Sequence, residues 1–259
     1  MPNRKPEPAI AVVDGLKRAF ATVWRWTYDG KPTFVCLATN LGRGRLAVTA
    51  DAGIRNQRGN PYGPCSDLYV SLIFYGGAGP TDLLPVKSVH ECAITPVCFL
   101  TLDLPSIDNI PTPPIAGMGA MEARRNTSVW RMGFADGVFA DQEMSTTRPA
   151  RIANGYTNRP VSRSTFRGAT DPLYKDHSSI VVDCCFDYPG RCDFGAPVCN
   201  DDGHLAGVLV GHDTATGYTH VGYYVPVDLL LPFIDLENEL GKRRGGVFGI
   251  HEPVSQTRS

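Results

Sequence analysis

Short apolar runs, separated by turns that contain glycine or proline, constrain this chain of 259 residues to a fold rich in β-strands. The 27 glycines and 21 prolines are spread along its length, which suits short strands joined by turns better than a helical bundle. Residues 105–114 hold four prolines and predict a connection between two β units, because proline disrupts regular structure. The predicted strands lie at 33–39, 45–50, 68–75, 84–90 and 97–102 before this connection, and at 128–133, 148–153, 179–185, 204–211 and 220–225 after it.

Both ends of the chain predict helices around this β-rich body. Apolar residues at helical spacing predict an amphipathic helix over residues 9–24, and a second helix is predicted at 226–240. The polar residues 154–177 predict a long surface loop. The predicted organisation is an N-terminal arm and helix at 1–30, a first β-barrel at 31–104, an inter-barrel linker at 105–127, a second β-barrel at 128–225, and a C-terminal helix and flexible tail at 226–259.

The charge of the chain argues against a nucleic-acid partner. Lysine and arginine number 25 against 26 acidic residues, for a formal net charge of −1, whereas nucleic-acid binders usually show a basic excess. No secretory signal opens the sequence, and no apolar stretch approaches the roughly 20 residues that span a bilayer. These features predict a cytoplasmic protein without a membrane partner.

The eight cysteines predict neither a metal site nor a cofactor. In a reducing compartment they are expected to be mostly free thiols. No C-x-x-C pair is present, and His90 with Cys92 is a weak metal signal because no second pair accompanies it. Most of these thiols are therefore expected to be small buried side chains.

Four segments resemble trypsin-like peptidases, in the order that this superfamily has them. Residues 193–212, DFGAPVCNDDGHLAGVLVGH, resemble the nucleophile region G-[DN]-S-G-[GSA]-P, with a turn at Asn200 and Gly203 and the returning strand after it. Residues 38–53 are similar to the segment that delivers the histidine of T-A-x-H, residues 131–137 to the start of the second barrel, and residues 220–234 to the last strand and helix of the HtrA-like and V8-like branches. The resemblance implies an all-β fold of two six-stranded antiparallel β-barrels with an N-terminal and a C-terminal helix.

The same resemblance places unsuitable side chains at the three catalytic positions. Amide cleavage by this fold requires a nucleophile, a base and a group that orients the base. The ungapped match puts Phe194 at the nucleophile position, Ala52 at the histidine position and Pro96 at the aspartate position. The first histidine of the chain is His90, far beyond the T-A signal. The resemblance therefore predicts an inactive member of the superfamily, a pseudoprotease that is not an enzyme.

A cysteine nucleophile is the alternative. Gly190-Arg191-Cys192 resembles the G-x-C of viral chymotrypsin-like cysteine peptidases, and a neighbouring arginine lowers the pKa of a thiol. This alternative requires two additional residues before Gly195, and it has Ala52 in place of a histidine at the base position of the first barrel. In the ungapped match Cys192 instead replaces a glycine of the oxyanion hole, whose backbone geometry favours glycine.

The favoured prediction is a non-enzymatic structural or interaction protein. It is expected to bind a protein partner by adding a strand in the old substrate groove, or to assemble with itself. Analogy at the level of the fold extends this to a virus-encoded accessory or capsid-associated protein that accompanies a viral particle.

Overall fold

The protein is mostly β, with two antiparallel sheets of six strands each and one α-helix in the part that the structure describes. The structure is a computed structural model, and it describes residues 7–26, 28–42, 46–50, 54, 67–72, 83–91, 97–102, 112–116, 127–133, 151–162, 180–186, 194–212 and 221–231. The elements are α1 (Ile10–Ala19), β1 (Phe20–Trp26), β2 (Pro32–Asn40), β3 (Leu46–Ala50), β4 (Leu68–Leu72), β5 (Leu84–Glu91), β6 (Val97–Leu102), β7 (Ser128–Gly133), β8 (Arg151–Ser162), β9 (Ile180–Phe186), β10 (Pro197–Cys199), β11 (Leu205–His212) and β12 (Val221–Pro226).

The first six strands form the first sheet, and the last six form the second. The first sheet has the order β1-β2-β3-β6-β5-β4, and β4 also pairs with β1. The second sheet has the order β10-β11-β12-β9-β8-β7, and β10 also pairs with β7. The division between the sheets falls between β6 and β7.

The predicted strands fall on ten of these elements, and the structure corrects three regions. Residues 20–24 lie in β1 and not in the predicted helix, which ends at Ala19. Their apolar spacing is compatible with a helix, but β-branched and aromatic side chains favour a strand. Residues 154–162 belong to β8 and not to a surface loop. The short strand β10 was not predicted.

Helix α1 packs against the second sheet, although the strand that follows it belongs to the first. Its buried residues include Val12 and Leu16, and its Gly15 lies directly against the backbone of Gly203 in the turn between β10 and β11. A side chain at either glycine would overlap the other element, so the small residues are what allows this close approach. The helix thus connects the two sheets at the start of the chain.

Two separate apolar clusters form the core. One, which we call the first-sheet cluster, contains only residues of the first sheet and Ile54: Ala21, Val23, Cys36, Ala38, Ile54, Leu68, Val70, Leu72, Val86, Cys98, Leu100 and Leu102. The other, which we call the joint cluster, combines α1, the opposite face of the first sheet and much of the second sheet. Its members include Val12, Leu16, Phe20, Leu37, Leu41, Phe99, Trp130, Val198, Cys199, Leu209 and Val225.

The described chain ends just after β12, in a short 3-10 helix at Val227–Leu229. The predicted C-terminal helix lies outside the described residues beyond Leu231. No described helix is long and apolar enough to span a bilayer.

Candidate active site

The segment predicted to match the peptidase nucleophile region lies immediately before β10. Gly195 has a φ of 90°, a conformation that glycine adopts without strain. Its backbone N–H donates to the Leu209 carbonyl over 2.7 Å, and the Leu209 N–H donates to the Ala196 carbonyl over 2.9 Å. These two bonds attach the segment to β11 and fix its position on the second sheet.

The same segment is also bonded to the first sheet. The Thr39 hydroxyl, Oγ1, donates to the Gly195 carbonyl over 2.7 Å, and the Leu37 N–H donates to the Phe194 carbonyl over 3.2 Å. Thr39 and Leu37 are fully buried neighbours on β2. Residues 194–196 therefore lie between the two sheets, with backbone bonds to both.

Phe194 occupies the position at which the sequence match places the nucleophile. Its ring is half-buried and packs on the joint cluster. A phenyl ring cannot attack a carbonyl carbon, so this side chain fills space at the contact between the sheets. The other predicted positions, Ala52, Pro96 and Cys192, lie outside the described residues.

The turn that follows β10 is held by side chains of both the turn and the second sheet. Asn200 Oδ1 accepts hydrogen bonds from the backbone N–H groups of Asp202 and His204, at 3.1 and 2.9 Å. Trp130 Nε1 donates to the Asp201 carboxylate over 2.6 Å. Gly203 has a φ of 77°, which confirms the sequence prediction that Asn200 and Gly203 form this turn.

Three buried cysteines among the described residues are poor nucleophiles. Cys36, Cys98 and Cys199 are buried thiols that form no disulfide. Burial raises the pKa of the Cys199 thiol to about 12, because the thiolate would lose its hydration. A thiol with such a pKa is almost entirely protonated at neutral pH, so Cys199 is a packing residue of the joint cluster.

A serine–histidine pair lies on β5, where sequence analysis did not propose a site. The Ser88 hydroxyl and His90 Nε2 are 2.8 Å apart, and both residues are half-buried. The signal was the S-x-H spacing itself, since residues two apart on a strand share one face. The sequence alone does not show whether these two side chains face the interior of the first sheet or its outer side.

Metal ligands do not cluster in the part of the chain that the structure describes. No group of three or more histidine, cysteine, aspartate or glutamate side chains is placed there to hold an ion. His204 belongs to the turn after β10 and lies far along the chain from His90.

No protein-family model matches the chain, and no curated protein matches it. Solved structures do match, and at 12–14% identity they show the fold alone. The Rv3671c protease of M. tuberculosis in its active form shares 14% identity over 87% of this chain and 84% of its own, with a TM-score of 0.59. The HtrA-type protease AlgW with a tripeptide shares 14% identity over 89% of this chain and 64% of its own, with a TM-score of 0.60. AlgW with a decapeptide shares 12% identity over 87% of this chain and 66% of its own.

These similarities contradict the prediction that the chain is not an enzyme, since the structures that share its fold are proteases. That prediction rested on three replaced side chains, and the loss of a serine triad does not exclude another nucleophile. The chain has the fold of HtrA-type, trypsin-like serine proteases.

Proposed function

We propose that this chain is a peptidase built on two closed β-barrels of the trypsin type, and that Cys192 is its nucleophile. The positions that would hold a Ser/His/Asp triad carry Phe194, Ala52 and Pro96, so a serine mechanism has no side chains to use. Cys192 follows Gly190-Arg191 in the segment that leads into residues 194–196. The adjacent guanidinium favours the thiolate form of the sulfur.

The observation that supports this proposal best is the attachment of residues 194–196 to both sheets. The Gly195 N–H donates to the Leu209 carbonyl over 2.7 Å, and the Thr39 hydroxyl donates to the Gly195 carbonyl over 2.7 Å. Cys192 stands two residues before Phe194 in the sequence, so the length of the chain limits the distance between their Cα atoms to about 7 Å at most. The nucleophile would thus be delivered at the boundary between the two sheets, where ligands commonly bind between packed units.

The proposed reaction is acyl transfer through a thioester. The thiol loses its proton to solvent water, which the adjacent guanidinium favours, and the thiolate sulfur bonds to the carbonyl carbon of the peptide bond. The carbon–nitrogen bond then breaks, and the amine leaves with a proton taken from water. Water then adds to the thioester carbon, the carbon–sulfur bond breaks, and the acid product leaves as the thiol is restored. AlgW is solved with a tripeptide and with a decapeptide, and we propose that this chain likewise takes an extended peptide.

A matched pair of cysteine variants tests the assignment. The purified chain is incubated with a peptide library at pH 7, cleavage is followed by mass spectrometry, and iodoacetamide labelling is mapped in parallel. We expect Cys192→Ala to reduce cleavage by about 10³-fold or more. Cys199→Ala is the control, because the Cys199 thiol is buried and protonated. Absence of cleavage by the unmodified chain, or equal cleavage by Cys192→Ala, would overturn the proposal.

We further propose that the enzyme binds a protein partner in the cytoplasm, and that a component of a viral particle is such a partner. The support is an exposed aromatic pair where β1 turns into β2: Trp26 is 40% exposed and Tyr28 is fully exposed. Exposed tyrosine and tryptophan are enriched at protein interfaces. Sedimentation with a large particle supports this proposal, and a strictly monomeric protein in the producing cell contradicts it.

A further inference from the structure

The pair Ser88 and His90 has the geometry of a nucleophile with its base. The hydroxyl oxygen and Nε2 lie 2.8 Å apart, within the 2.6–3.2 Å range over which a base removes a nucleophile's proton. Both side chains are half-buried, so solvent and small molecules reach them while the protein holds their geometry. Neither residue has a role in the proposed cysteine mechanism.

A β-bulge places this pair on the outer face of the first sheet. Val86 and the partly buried Val89 pack in the first-sheet cluster, although residues three apart on a regular strand face opposite sides. The pairing of β5 with β6 shifts between Val86 and Ser88, and Lys87 is the additional residue. The bulge therefore turns Ser88 and His90 outward, and bulges frequently redirect side chains beside active sites.

The cross-strand register separates this pair from residues 194–196. His90 lies opposite Phe99, Phe99 opposite Val48, and Val48 opposite Thr39. Three strand spacings thus separate His90 from Thr39, a path of about 14 Å along the sheet. Because Thr39 is the residue that bonds to Gly195, the serine–histidine pair forms a second location on the same face.

We propose that Ser88 and His90 form an acyl-accepting site for esters, independent of Cys192. His90 Nε2 takes the proton of the Ser88 hydroxyl as its oxygen bonds to the ester carbonyl carbon. The alcohol leaves with its bonding electron pair and receives that proton from His90. Water then hydrolyses the acyl-serine to a carboxylic acid and restores the hydroxyl. Thr101 lies directly opposite Ser88 on β6 and places a second hydroxyl on this face.

Reaction with p-nitrophenyl acetate tests the site in the full chain carrying Cys192→Ala, so that its result is separate from that of the peptidase. We expect release of nitrophenolate and an acetyl group on Ser88, located by mass spectrometry. Ser88→Ala should abolish that acetylation, and His90→Gln should slow it at least tenfold. His90→Gln keeps a hydrogen-bonding side chain of similar size, and circular dichroism establishes that it is folded.

Ser128→Ala is the matched control. Ser128 is a half-buried serine whose hydroxyl oxygen accepts a hydrogen bond from Asn154 Nδ2 over 3.0 Å. The partner of its hydroxyl is thus an amide, whereas the partner of the Ser88 hydroxyl is an imidazole. Its substitution should leave the rate of acetylation at Ser88 unchanged. The proposal is overturned if Ser88 is not acetylated, if Ser128 is acetylated at a similar rate, or if folded His90→Gln reacts as fast as the parent chain.

Discussion

The two apolar clusters of this protein are assembled in different ways. Apart from Ile54, the first-sheet cluster uses side chains from one sheet only. The joint cluster combines α1, the opposite face of the first sheet and the second sheet. The first cluster can thus pack when its own sheet forms, whereas the second requires both sheets and the helix. Residues 194–196 lie at the joint cluster, so their geometry depends on every unit that contributes to it.

This difference extends to the polar contacts. The joint cluster is bordered by buried hydrogen bonds that cross between the sheets, such as Thr39 Oγ1 to the Gly195 carbonyl. Such bonds have a preferred geometry, whereas apolar packing is non-directional. The hydrogen bonds therefore fix the position of one sheet on the other, and the apolar packing stabilises the contact. A site built from residues of both sheets would require both.

The largest expected effect comes from truncating one leucine in each cluster. Leu37 of the joint cluster and Leu100 of the first-sheet cluster are both fully buried. Each substitution to alanine should lower the free energy of unfolding by about 3–5 kcal/mol, from lost transfer energy and the cavity left behind. Urea denaturation measures both, and Ile10→Ala, at a site 80% exposed, is the control. A cost below about 1 kcal/mol at Leu37 would show that the sheets do not depend on this contact.

Two glycines with the same backbone conformation test whether α1 belongs to the joint cluster. Gly203 and Gly30 have φ values of 77° and 75°. A Cβ at Gly203 would overlap the carbonyl of Ala11 in α1, whereas a Cβ at Gly30 meets nothing within 4 Å. Gly203→Ala should cost about 3 kcal/mol, from backbone strain and overlap, and Gly30→Ala about 1 kcal/mol, from strain alone. Equal midpoints of thermal unfolding for the two variants would exclude a tight helix contact.

The smallest effect is a pH dependence that arises from the buried Cys199. Its pKa is raised from 9.0 to about 12, so its contribution to stability is complete below about pH 9 and is lost as pH rises towards 12. At pH 10 the loss should be about 1 kcal/mol relative to neutral pH. Urea denaturation of the parent chain and of Cys199→Ala at both values measures it. An identical pH dependence in the two proteins would mean that this thiol is not desolvated.

Features that depend on neighbouring residues along the chain could be predicted from the sequence. Most predicted strands coincide with observed ones because alternating apolar residues and turn-forming residues act over a few positions. The strands β6 and β7 have the predicted limits, and Asn200 and Gly203 form the predicted turn. The resemblance of residues 193–212 to a peptidase region also depended only on the order of neighbouring residues in the sequence. The similarity to solved protease structures then shows that the chain shares their fold.

Features that depend on contacts between distant residues were decided only by the tertiary structure. The spacing of Phe20 and Val23 suits a helix, and pairing with β2 and β4 makes this segment a strand. The outward position of Ser88 and His90 follows from a bulge against β6, which local periodicity does not reveal. Thr39 bonds to Gly195 across 156 positions of sequence. Most of the secondary structure follows from short-range preferences, whereas the contact of residues 194–196 with both sheets exists only once long-range packing has brought the sheets together.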